Sequence, residues 1–295
     1  MRSVLLVGVG PIDNAQQLDW AGAEAARRHA AVRLVHAVKR PGRGEGSRWA
    51  DMRAEAARGL LAAAADRIAT HAPDVAVDTA VAVGSSAADA LRAHSADAAL
   101  IVLGSRGRTA LGDVIAGATA LTLVKRAPCE LVVVRRDQSV SPGPAAGRVV
   151  VGVDGSDLSL QAVEFAFHQA SLCGVGLLAV HAWSPPMVLG QGRPLYGHSA
   201  ERERLRQQQL HTAWLSTSLA GCRECYPDVT AHQDLVERHP GEALVDLSRG
   251  AELLVVGCRG RGGFAGLLLG STSHAALHHA RCPVAVIRGP GATTP

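Results

Sequence analysis

The chain has 295 residues, nearly half of them apolar and only 3% aromatic, with a formal charge of +4. That length suits two ordinary domains, and an apolar stock made mostly of Ala, Val and Leu suits helices packed on buried parallel strands. The bases are almost all arginine and lie among acids, so nothing demands a nucleic-acid partner, and no apolar run reaches the ~20 residues of a membrane span.

Taken in chain order, β-branched apolar runs at 4–9, 33–38, 75–83, 99–103 and 130–134 predict strands. Ala-rich stretches at 14–30, 49–71, 86–95 and 117–126 predict the helices between them. The stretch "RRDQSVSPGPAAGR", 135–148, is rich in Ser, Pro and Gly and predicts an exposed linker, centred on 137–147. The series then starts again, with strands at 148–153, 175–182, 229–236, 252–256 and 283–287 and helices at 158–172, 199–219, 241–249 and 270–280.

The second series repeats the first. "SVLLVGVG" returns as "RVVVGVDG", "VRLVHAV" as "VGLLAVHAW", "DAALIVLGSRGR" as "GAELLVVGCRGR" and "APCELVVVRR" as "RCPVAVIRG". Order is preserved over half the chain, which marks a domain duplication, 1–136 and 148–290, and not a short solenoid repeat. Strand–helix alternation implies right-handed crossovers. The expected fold is α/β: two tandem, doubly wound, Rossmann-like domains, each a five-stranded parallel sheet with helices on both faces. Ligands of such sheets sit beyond the carboxyl ends of the strands.

Two sequences fall at those ends in the second half. "VVGCRGRGGFAGLLLGSTS", 255–273, leaves the fourth strand through Gly257 and Gly260 and reaches a helix start at Gly270. Glycines let backbone amides approach phosphate oxygens, and a helix N-terminus adds unpaired amides and a positive dipole end. Ser271, Thr272 and Ser273 bring hydroxyls to that terminus, and Arg259 and Arg261 bring charge. The plainer reading is a strand–turn–helix connector. The long gap between Gly260 and Gly270 favours a loop that leaves the sheet and returns. There is neither a Walker G-x4-G-K-[ST] nor an opening G-x-G-x-x-G, and no lysine is near, which favours binding over hydrolysis. "VGVDGS", 151–156, places Gly152 and Asp154 across the same crevice; alone, Asp154 is equally a turn residue before a helix capped by Ser156 or Asp157.

Gly257-x2-Gly260-x9-Gly270-Ser271, with "VVVGVDGS", "AVHAW" and "CPVAVIR", resembles the universal stress protein family in its ATP-binding form. The likeness covers nearly the whole chain as two tandem domains of the actinobacterial type. It implies a cytoplasmic, nucleotide-sensing stress-response protein that binds ATP, often with Mg2+ or Mn2+. Occupancy would change a surface read by a still unidentified protein partner. It implies that Gly257, Gly260 and Gly270 line the phosphates and that Ser271 bonds one of them. Asp154 would lie near the nucleoside, and the backbone of Ala182 would meet adenine. It also implies that fifth strands, here 130–134 and 283–287, pair with each other, and homodimers of the tandem chain are expected.

The first half carries an altered copy. Gly8 and Gly10 end its first strand, so a glycine stands where the second half has Asp154. Gly104-x2-Gly107-x9-Gly117 is kept, but Ala118 replaces the serine and Thr119 comes one position late. Losing a charge-assisted hydrogen bond costs about 1.5–3 kcal/mol, so this site is expected to be weak or vestigial. Arg106, Arg108 and Asp13 are the residues that could compensate.

Other features point less clearly. Cys222-x2-Cys225 lacks further ligands for zinc and follows the predicted helix, where a redox pair prefers a helix start. The remaining cysteines read as reduced, core-type thiols. His274 and His278, four apart, are a metal pair or a solvated helix face. Segments 39–48 and 184–197 are candidate lids. No general base is evident, so no catalytic residue is assigned. A slow ATPase or phosphotransferase, and a structural or interaction protein with no strong ligand, are the alternatives to a sensor.

Overall fold

A computed structural model describes residues 3–11, 14–39, 47–84, 86–105, 117–135, 141–183, 189–190, 193–194, 198–260 and 269–289. The chain divides into two compact units. One comprises Met1–Ser139 with Leu277–His279 and Pro283–Pro295, the other Val140–Ala276 with Ala280–Cys282.

The first unit contains β1 (Val4–Gly8), α1 (Ala15–Arg27), β2 (Ala31–Lys39), α2 (Ser47–His71), β3 (Val77–Gly84), α3 (Ala87–Ala93), β4 (Ala98–Gly104), α4 (Ala118–Arg126) and β5 (Glu130–Val134). Its sheet runs β5-β4-β1-β2-β3, all parallel. Leu5, Leu6, Leu34, Leu100, Ile101 and Leu131 are fully buried, because helices on both faces leave a parallel strand no wet side. That is why these strands read as continuous apolar runs and not as alternations.

The second unit begins with β6 (Val149–Gly152), α5 (Asp157–Cys173) and β7 (Leu177–Trp183), followed by a short antiparallel pair, β8 (Leu189–Gly190) and β9 (Arg193–Pro194). It continues with α6 (His198–Cys225), β10 (Ala231–Glu237), α7 (Pro240–Leu247), β11 (Leu253–Gly257) and α8 (Ser271–His279), the last three residues of which, Leu277–His279, belong to the first unit. The strand order is β10-β7-β6-β11, again parallel. The last strand, β12 (Val284–Ile287), belongs to the first unit and lies antiparallel to β5, with Val284, Ala285 and Val286 opposite Val133, Val132 and Leu131. The expected pairing of 130–134 with 283–287 is therefore present.

Two arginines fasten that edge of the first unit. Arg135, after β5 and only 3% exposed, donates to the carbonyls of Leu277 (2.9 Å) and His278 (2.8 Å) near the end of α8. Arg288, after β12, donates to the carbonyl of Lys125 (2.8 Å) near the end of α4. Each cation meets the negative end of a helix dipole.

The described part of the stretch read as an exposed linker is largely exposed, at Ser141, Pro142, Pro144, Ala146 and Gly147, and is tied to the second unit at two points. Gly143 N donates to Arg249 O (2.9 Å), Gly147 N donates to Gly250 O (2.8 Å), and Ala145 is fully buried. The Cys222–Cys225 pair does not follow a helix; it lies in the last turn of α6, which runs further than its polar sequence implies. Cys222 is half-buried there, and burial followed by the nearby Glu164 raises its thiol pKa. All six cysteines are thiols, none joined in a disulfide.

Cys129 offers a test of packing in the first unit. Burial first, then the neighbouring Glu130, push its thiol up to about 12 from 9.0. An unfolded chain would ionise Cys129 near its ordinary value while the folded chain keeps the proton, so the unfolded state binds fewer protons between those two values. Stability should therefore fall as pH rises from about 9 to about 12, and a Cys129→Ala chain should lose less over that window. Urea midpoints of both chains across that range are the measurement.

Candidate functional site

In each unit the strand order reverses between the first strand and its fourth, β1/β4 and β6/β11, and a crevice opens at their carboxyl ends. The second unit's crevice is built as follows. After β6, Gly155 turns at φ 80°, a left-handed conformation open to glycine, and Ser156 caps α5 by accepting from Ser159 N (3.2 Å). The same serine donates to Asp154: its amide reaches Oδ1 at 3.0 Å and its hydroxyl at 2.7 Å. These bonds hold the Asp154 carboxylate in place, with Oδ2 against the Cα of Gly260, where a methyl group would collide with it. The acid after β6 and the second motif glycine after β11 thus meet, as their sequence positions implied.

The two described ends of the segment after β11 meet. Gly270 N donates to Cys258 O (2.9 Å), closing the segment at its base, and Gly270 is the N-cap of α8 with no side-chain cap bond. The first intrahelical bond of that turn is His274 N to Gly270 O (2.9 Å), so the amides of residues 271–273 have no acceptor within their own helix. Ser271 is exposed, Thr272 half-buried and Arg259 exposed. Ser273 differs: it is 2% exposed and its hydroxyl donates to Gly257 O (2.5 Å), tying the helix start to the strand end. Gly257 packs against Leu158 and the carbonyl of Arg259. Arg261 lies outside the described residues.

Gly152 serves packing at this end of the sheet. A Cβ there would sit 2.7 Å from Leu244 Cδ1 of α7. Gly8 repeats the arrangement, with Leu103 at 2.6 Å and Leu91 of α3 at 3.0 Å. Ala182 is half-buried on β7, two residues beyond the last pairing of that strand with β6, Gly152 opposite Val180.

A feature that sequence reasoning missed stands beside it. His181, 8% exposed, bonds through Nδ1 to Val153 O (2.7 Å) and through Nε2 to His211 Nδ1 of α6 (3.0 Å). A carbonyl only accepts, so His181 carries its proton on Nδ1 and, when neutral, accepts from His211. The rings stack at 4.7 Å, and Trp214 and Trp183 close around them at 5.0 and 5.1 Å. His36 makes the corresponding bond to Val9 O (2.8 Å). The signal was present in the repeated "VHA" of the second strands, which marked the duplication but not the brace.

The altered crevice of the first unit has the same helix start: Gly117 is the N-cap of α4, again with no side-chain cap bond, followed by exposed Ala118 and half-buried Thr119. Gly10 has no carboxylate to offer; instead Asn14 Nδ2 donates back to Gly10 O (2.7 Å). Gly104 faces Gln17. Gly107, Arg106, Arg108 and Asp13 lie outside the described residues, as do 40–46 and much of 184–197 among the candidate lids.

Residues 1–135 and 146–288 each match the family model described as the universal stress protein family. The chain belongs to that family. It is 37% identical to Universal stress protein Rv2005c of Mycobacterium tuberculosis and, equally, to Universal stress protein Mb2028c of Mycobacterium bovis, over 96% of both chains in each case. Among solved structures, a universal stress protein from Archaeoglobus fulgidus superimposes with a TM-score of 0.67 at 16% identity, covering 98% of this chain and 97% of that one. One from Pseudomonas aeruginosa, described as a putative universal stress protein, gives 0.64 at 18% identity, covering 99% and 95%. Those two likenesses establish the fold, a mostly parallel α/β sheet in tandem family domains. No described helix is long and apolar enough to cross a membrane, and no cluster of three or more His, Cys, Asp or Glu capable of holding a metal occurs among the described residues. His274 and His279 are exposed and His278 half-buried on α8.

Proposed function

We propose that this universal stress protein is a cytoplasmic ATP-binding regulator whose working site is the crevice of the second unit. The contact between Asp154 and Gly260, beside a helix start without a side-chain cap, carries the reading. A carboxylate held by two donors suits a ribose or a metal-bound phosphate, and the amides of 271–273 with the positive end of α8 suit the phosphates themselves. Gly257 and Gly270 let the backbone come close, Arg259 adds charge, and Ser271 supplies an exposed hydroxyl. Ala182, just past the brace of His181, is positioned to present its backbone to the base. Mg2+ or Mn2+ bound with the nucleotide would offset phosphate charge, and Asp154 would help hold that complex.

Occupancy would act on partners through α6. The floor residue Val153 is bonded to His181 and His181 to His211, so a shift in the crevice reaches that helix directly. A ligand can bias a surface only as far as it binds its two states differently, so partner capture should differ between ATP-loaded and nucleotide-free protein.

The experiment is to denature freshly purified protein and quantify released nucleotide by chromatography, followed by titration of the emptied protein with ATP and Mg2+. One nucleotide per chain supports the reading; no retained nucleotide and no saturable binding would end it. Steady release of phosphate over many turnovers would instead make the protein an ATPase. Ser271→Ala should weaken ATP about tenfold, the loss of one hydrogen bond to a charged group, without changing thermal stability.

A further inference from the structure

We propose that Gln17 closes the first unit's crevice, and that this side chain, more than the missing acid and serine, limits the chain to one nucleotide. The inference rests on reading the second crevice as a nucleotide site. Gln17 is three residues past the N-cap Asn14, in the first turn of α1, where a glutamine would ordinarily face water. Here it is 3% exposed. Its Nε2 donates to Gly8 O (3.0 Å) at the end of β1 and to Val102 O (3.1 Å) on β4, bridging the two strands between which the crevice must open. Its Oε1 is buried without a hydrogen-bond partner and stands 2.7 Å from where a Cβ of Gly104 would be. The space left beside it, lined by Asn14, Gln17, Gly104, Val134 and Arg135, is about 10 Å³, room for a single water.

The second unit lacks this closure. The residue three past its N-cap Ser156 is Ser159, whose short side chain turns back into its own turn, accepting from Gly155 N (3.0 Å) and donating to Ser156 O (2.9 Å). Among the described residues no side chain bonds to the carbonyls of Gly152 or Val255. The contrast explains why the first unit tolerates a buried, unsatisfied amide oxygen: the same carboxamide makes two backbone bonds in a cleft that would otherwise expose those carbonyls.

The test is equilibrium dialysis of the whole chain against ATP and Mg2+. Wild-type protein should bind one nucleotide. Gln17→Ser combined with Gly10→Asp should bind two, and adding Gly260→Val to that pair should return the count to one. Gln17→Met with Gly10→Asp keeps the volume filled without the amide and should stay at one. Should the serine variant lose helix content by circular dichroism, Gln17→Asn, too short to span both carbonyls, is the second opening variant. A folded opening variant that still binds one overturns the closure and leaves the second site standing. Wild-type protein that binds two overturns it as well. Wild-type protein that binds none overturns the functional reading; the closure is then judged by the opening variants, where a gained nucleotide supports it and none overturns it.

Discussion

Gly260→Val is expected to raise the ATP dissociation constant of the chain at least a hundredfold, about 2.7 kcal/mol, while the protein stays folded. A Cβ at this position collides with Asp154 Oδ2, and the carboxylate can yield only by leaving the amide and hydroxyl of Ser156, which it holds at 3.0 and 2.7 Å. Valine adds two methyl groups to that collision. Gly260 is exposed and has no positive φ, so neither core packing nor backbone strain predicts a loss of stability. Gly152→Ala is the informative contrast. Its Cβ would meet Leu244 Cδ1 at 2.7 Å, and overpacking of that kind costs about 1–3 kcal/mol, so its effect should fall on the unfolding midpoint before it falls on binding. Equilibrium dialysis and urea unfolding on both variants separate the two effects. ATP affinity unchanged in Gly260→Val would remove this loop from the site.

Much of the fold was legible because parallel strands covered on both faces need apolar side chains on both, so the inner strands wrote themselves as unbroken runs such as Leu5–Val7 or Leu253–Val256. The duplication then placed every run in order. The site was legible where function demands a backbone property, as at Gly260, whose missing Cβ the local spacing announces. It was illegible where the partner is distant. Gln17 reads as a polar residue of a helix start, and only a carbonyl 85 residues away, that of Val102, makes it a buried bridge. His211 reads as one more polar residue of a charged helix until His181, 30 residues earlier, stacks on it. Ala145 sits among turn-forming residues and reads as exposed, yet Gly143 and Gly147 bond to the α7–β11 turn and draw it in. Glycine is ambiguous for a different reason. Gly8 and Gly152 end strands as a ligand-facing glycine would, but what needs their missing side chains is a leucine of the covering helix.

Phe167→Ala should be the most damaging single change in the second unit, costing about 3–5 kcal/mol of stability. Phe167 is fully buried on α5 and stacks on Tyr226 at 6.0 Å with 27° between the rings, in a chain that has few aromatic residues to spare. Truncation leaves a cavity under a helix whose other buried residues are mostly small, such as Ala162, Ala166 and Ala170, and offer little volume to fill it. The same helix begins at Ser156, which orients Asp154, so loosening α5 against the sheet loosens one wall of the crevice. Phe167→Leu, which keeps most of the volume, should cost markedly less. Urea unfolding followed by tryptophan fluorescence, in a background with Trp20 and Trp49 replaced by Phe so that Trp183 and Trp214 alone report, reads this unit, and adding ATP at a hundred times its dissociation constant should return about 2.7 kcal/mol to any variant whose folded state still binds. Added stability of Phe167→Ala with ATP, with little or none added to Gly260→Val at the same ATP concentration, would tie the nucleotide to this unit through folding as well as through contact. A loss below about 1 kcal/mol in Phe167→Ala would mean that α5 is held by its alanines and not by its one large anchor.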